Sequence, residues 1–84
     1  AIAELDDGDY AVHMMHGIGI YRGLKELERR GEVREVIEME YRDGAVLYVP
    51  VWQAGLVSRY VGAKKTGVVL HKIGGKRWFN TKVS

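Results

Sequence analysis

Val33-Arg34-Glu35-Val36-Ile37-Glu38-Met39-Glu40-Tyr41 carries the decisive pattern, and Asp43-Gly44 follows it at once. In an extended chain Ile37, Met39 and Tyr41 share one face, while Glu38, Glu40 and Arg42 share the other. That is a half-buried strand. Asp-Gly is a strong signal for a two-residue hairpin turn, because both residues tolerate positive φ. The return strand is Ala45-Val46-Leu47-Tyr48-Val49, cut by Pro50, the chain's only proline. Proline lacks the N–H a ladder needs, so it belongs at a strand end or edge.

Working outward, Tyr10 to Met14 reads as a first strand after the polar cluster Leu5-Asp6-Asp7-Gly8-Asp9. His16-Gly17 is a turn. Gly17, Gly19 and Gly23 punctuate a second strand, and glycine within a strand marks a bulge or a tight bend. Leu24 to Arg30 contains good helix formers but ends at Gly31 after seven residues, too few for a stable helix. It also alternates, with Lys25, Leu27 and Arg29 on one side and Glu26 and Glu28 on the other. The segment is therefore predicted as strand entering a turn at Arg30-Gly31-Glu32. Val51 to Gly55 reads as a turn or single helical turn, and Leu56 to Val61 as a fifth strand. Five short strands with glycine-rich turns predict an all-β fold, a small five-stranded SH3- or Tudor-like bent barrel over residues 1–62. Residues 63–84 are expected to be a basic loop and a C-terminal extension in which a helix begins.

Eighty-four residues make one small domain with a thin core. There is no cysteine, so neither disulfides nor thiolate chemistry apply. No apolar run approaches the ~20 residues of a membrane span. Ala1-Ile2-Ala3-Glu4 lacks a basic cluster and an apolar signal core, so a cytoplasmic location is expected. The net charge of +2 hides a division. Residues 1–44 hold all eleven acidic residues against six basic ones, a net of −5, while residues 45–84 hold seven basic residues and no acid, a net of +7. Such asymmetry points to surfaces with different partners unless the fold mixes the halves.

Catalytic signatures are missing. His13 and His16 are three apart, a spacing that sends strand side chains to opposite faces, and no cysteine completes a zinc site, so no metal is expected. Gly17-Ile18-Gly19-Ile20-Tyr21-Arg22-Gly23 misses the dinucleotide fingerprint by one residue, and Lys65-Thr66 lacks the glycines of a phosphate loop. Ser58 and Ser84 sit in no nucleophile elbow. Glu38 and Glu40 lie on the solvent face. No enzyme and no cofactor are expected. Tyr10, Tyr21, Tyr41, Tyr48, Tyr60, Trp52, Trp78 and Phe79 leave open a cage for a methylated cation or a stacking surface for bases, beside their ordinary use in the core. The Lys25–Arg30 stretch reads differently: a lone Leu27 among charges resembles the anchor of a strand-addition interface, the alternative being a solvated hairpin with Leu27 tucked under the barrel.

Several ordered motifs share one resemblance: Gly8-Asp9-Tyr10-Ala11-Val12-His13, His16-Gly17-Ile18-Gly19-Ile20-Tyr21, Leu47-Tyr48-Val49-Pro50-Val51, Leu56-Val57-Ser58-Arg59-Tyr60-Val61-Gly62 and Lys72-Ile73-Gly74-Gly75-Lys76-Arg77-Trp78. Together they resemble the RNA polymerase-interacting domain of bacterial transcription-repair coupling factors (Mfd), whose barrel is shared by CarD-type transcription regulators. The Ser-Arg-Tyr and Gly-Gly-x-x-Trp portions favour the coupling factor. The resemblance implies a Tudor-like module that lays an edge strand along the β1 (protrusion) lobe of the RNA polymerase β subunit. Carried onto this chain, the partner-binding residues are Leu24, Lys25, Glu26, Leu27, Glu28 and Arg29, with Tyr48 flanking and Arg22 and Arg30 at the rim. A charged replacement of Leu27 should be the most damaging. It also implies a parent protein with an ATP- and magnesium-dependent DNA translocase, joined through a helix starting near Trp78. A monomeric module is expected, with weak DNA contact through the basic C-terminal part. The family commonly has Arg where this chain has Ile20. A basic nucleic-acid-binding barrel remains the rival from another class.

Overall fold

The structure is a computed structural model and describes residues 2–62 and 69–73. Five antiparallel strands form one sheet in the order β4-β3-β2-β1-β5. They are β1 (Tyr10–His13), β2 (Gly17–Arg29), β3 (Glu32–Glu40), β4 (Val46–Pro50) and β5 (Val57–Arg59). A short 3-10 segment, Val51–Leu56, links β4 to β5. The all-β expectation holds, and the architecture is that of a small bent barrel. The helix expected from Trp78 onward falls outside the described residues.

The alternation of residues 33–41 does what it promised. Ile37, Met39 and Tyr41 are buried, joined by Tyr21, Ala11, Val49, Val57 and Leu5 in one core. The turn after β3 is one residue longer than Asp43-Gly44 alone. Arg42 joins it, the Tyr41 amide donates to the Ala45 carbonyl at 2.7 Å, and Asp43 and Gly44 both take positive φ. By contrast, Arg30 and Gly31 form a two-residue turn between β2 and β3, both with positive φ.

The glycines of β2 have separable uses. Gly23 (φ +91) lies in an irregularity where the register with β3 shifts between Tyr21 and Leu24. The strand bends there, as a bulge requires. Gly19 makes room for the Tyr41 ring, whose hydroxyl donates to the Gly17 carbonyl at 3.1 Å. This pins the end of β3 under the start of β2.

Part of the chain beyond residue 62 is tied to the barrel. The His71 amide donates to the Ile18 carbonyl at 2.9 Å, and the Ile18 amide donates to His71 Nδ1 at 2.7 Å. The Arg42 amide donates to the His71 carbonyl, and Ile73 packs on the core.

One expectation about histidine geometry needs correction. His13 and His16 do not point apart: β1 ends at His13, the chain turns back, and the two rings lie 4.7 Å apart. His13 is buried, and its Nδ1 accepts from the Met15 amide at 3.0 Å. Burial first, and the neighbouring His16 second, hold its pKa below the usual histidine value.

Candidate functional site

The long strand β2 changes neighbours along its length. Its first part, Gly17 to Ile20, pairs with β1. Tyr21 still exchanges hydrogen bonds with residues 8 and 9. Beyond Tyr21 it pairs only with β3, so among the described residues the other edge of Leu24–Arg29 faces no strand.

The direction of the backbone groups on that edge follows from the ladder. In an antiparallel pair, successive residues bond alternately to the two sides. The Tyr41 amide bonds toward the β4 side, so Met39 and Ile37 do the same, and Glu38, Val36, Arg34 and Glu32 turn toward β2. Their partners Lys25, Leu27 and Arg29 therefore turn toward β3. The amides and carbonyls of Leu24, Glu26 and Glu28 point out of the sheet edge. Among the described residues these six groups in a row have no partner, the kind of edge a partner strand takes up.

Side chains divide the same way. Lys25, Leu27 and Arg29 stand on the face away from the core; Leu24, Glu26 and Glu28 stand on the face that farther along carries it. The first face carries a concavity of about 560 Å³ lined by Leu27, Arg29, Arg30, Glu32, Arg34, Val36, Tyr48 and Pro50. Val36 forms a buried apolar floor outside the main core, and Leu27 is half-buried beside it. Tyr48 is 46% exposed. Three guanidinium groups stand at this rim, with Glu32 the lone acid, 3.4 Å from Arg34.

Most of the residues singled out from the sequence are thus gathered, with two qualifications of geometry. Leu24 to Arg29 form the edge, and Leu27, Arg29, Arg30 and Tyr48 line one hollow. Tyr48, however, is on β4, two strands away from the free edge. It is reached across the sheet face, not along the edge. Arg22 lies apart and is engaged: its Nε donates to Glu40 at 3.0 Å, and Asp7 lies 3.5 Å from it. Sequence reasoning missed Val36, Pro50, Arg34 and Glu32. The signal for Val36 was present, since adjacent Val36 and Ile37 break strict alternation and force an apolar residue onto each face.

Other chemistry finds no framework. Among the described residues no group of three His, Asp or Glu side chains could hold a metal. The aromatics among the described residues do not converge: Tyr21 and Tyr41 are in the core, Tyr10 meets Tyr60 edge-on at 6.4 Å, and Trp52 is 77% exposed; Trp78 and Phe79 lie outside the described residues. No helix among the described residues is long and apolar enough to cross a membrane.

The chain is similar in sequence to several known proteins. The chain is 43% identical to the transcription-repair-coupling factor of Escherichia coli K12 over 77 residues, which cover 92% of this chain and 7% of that protein. It is 41% identical over 80 residues to the factor of Bacillus subtilis 168, covering 95% of this chain and 7% of the relative. The factor of Borreliella burgdorferi aligns along all 84 residues at 32% identity, 8% of its own length. The chain thus spans less than a tenth of the curated relatives it matches. Residues 5–61, the whole five-stranded barrel, match the family described as CarD-like/TRCF RID domain, and the chain belongs to that family.

Proposed function

We propose that this chain is a non-enzymatic docking module that attaches a transcription-repair coupling factor to RNA polymerase, by adding its β2 edge to a strand on the β1 (protrusion) lobe of the β subunit. The observation that carries this reading is the free edge of Leu24–Arg29, with three outward amide–carbonyl pairs beside a hollow floored by Val36. Backbone pairing supplies affinity in such interfaces, and alternate side chains select the partner. Leu27 anchors the contact from the hollow side, and Tyr48 borders it across β3. An interface of one added strand is small, toward or below ~1,200 Å² in total, which suits a transient attachment. Residues 63–84 lead toward the translocase of the parent protein.

A pull-down with the separately expressed lobes of the β subunit tests the reading. Capture of the protrusion lobe alone is expected. Capture of another lobe, or of none, contradicts it.

A further inference from the structure

The free edge of β2 separates its charges by face. Lys25 and Arg29 flank Leu27 on one side of the sheet; Glu26 and Glu28 share the other with Leu24. All of these but Leu27 are exposed. On the acidic side Glu35 of β3 lies directly opposite Glu26, so that face has no cation of its own along this stretch.

We propose that this separation prevents the edge from pairing with a second copy of itself and restricts it to strands of the inverse pattern. An unpaired strand edge is a template for any extended chain, and an identical edge is always available in solution. Two copies pairing antiparallel about a two-fold axis bring like faces together. Centred on Leu27, the pairing sets Glu26 against Glu28 twice and Lys25 against Arg29 twice. Centred on Glu26 or on Glu28, a glutamate meets itself on the axis; centred on Lys25, a lysine does. Within Leu24–Arg29 no register forms an opposite-charge pair, because along the edge strand itself neither face carries both signs. Like charges directly opposite destabilise strand pairing. The strand admitted instead carries acidic or apolar residues beside Lys25, Leu27 and Arg29, and basic residues beside Glu26 and Glu28. This deepens the docking reading above, but the test involves no polymerase, so either can fail alone.

Sedimentation of the 84-residue chain across a concentration series is the experiment. The wild-type chain should remain monomeric. Lys25→Glu with Glu28→Lys makes every charged pair of the Leu27-centred register opposite in sign, and both sites are exposed. The apparent mass of this double variant should double, and high salt should reverse the change because the pairs are solvent-exposed. Should it fold poorly by circular dichroism, a second pair of variants decides. Lys25→Glu/Arg29→Glu and Glu26→Lys/Glu28→Lys should each stay monomeric alone and form a mixed dimer together. A wild-type chain that dimerises overturns the proposal. So do a folded double variant that stays monomeric and a variant mixture that forms no complex.

Discussion

A Cβ placed on Gly19 would lie 2.9 Å from Cζ of Tyr41 and 3.0 Å from the Glu40 carbonyl oxygen. The glycine is there because a buried tyrosine at the end of β3 must pass under the start of β2. This contact sets how the two strands cross, and the same two strands continue into the hairpin that carries the free edge.

Gly19→Ala should therefore destabilise the domain by about 1–3 kcal/mol, since backbone as well as ring stands in the way. Tyr41→Phe removes the bond to the Gly17 carbonyl and should cost about 1 kcal/mol. Urea denaturation of each variant measures both. A Gly19→Ala variant as stable as the parent would show that the strands cross more loosely than described.

Acid should weaken the fold through His13. Burial and His16 hold its folded pKa below the usual value, so the unfolded chain binds its proton more readily. Stability from this group is intact above the unfolded pKa of ~6.5 and falls as the pH drops through that value toward the folded pKa. The denaturation midpoint should be lower at pH 5 than at pH 7. His16→Gln removes the smaller of the two causes, so the loss should shrink and persist. A midpoint independent of pH in this window would contradict the buried neutral imidazole.

Backbone direction on the edge gives a test that side chains do not. The Glu26 amide points outward, so Glu26→Pro should spare the β2–β3 ladder and change stability little, as proline is tolerated on edges. It should reduce docking roughly tenfold by removing one outward donor, about 1.4 kcal/mol. Leu27→Pro removes an amide bonded toward β3 and should destabilise the hairpin itself. Thermal melts, together with binding to the isolated protrusion lobe, separate the two. Equal destabilisation by both would contradict the assigned direction, and a greater loss from Glu26→Pro would reverse it.

The strand pattern is legible because residues 37–41 and 24–29 keep period two, and glycine and proline mark the turns between them. What stayed hidden depends on distance in three dimensions. The pairing of His71 with Ile18 spans 53 positions and leaves no local periodicity. His13 and His16 escape strand parity because a turn begins at Met14 and brings their rings together. The edge residues were visible as an alternating charged stretch, but its freedom on one side follows from β1 beginning only at Tyr10, opposite Ile20, while β2 runs on to Arg29. The Val36 floor needed β4 to be placed beside β3.

The most direct measurement of the docking account is calorimetric titration of the isolated protrusion lobe with the chain and with Leu27→Arg. Leu27 is half-buried on the face away from the core, so the variant should melt like the parent. Its affinity should fall by at least about 2 kcal/mol, more than tenfold. A folded Leu27→Arg variant that binds with unchanged affinity would contradict the assignment of β2 as the docking strand.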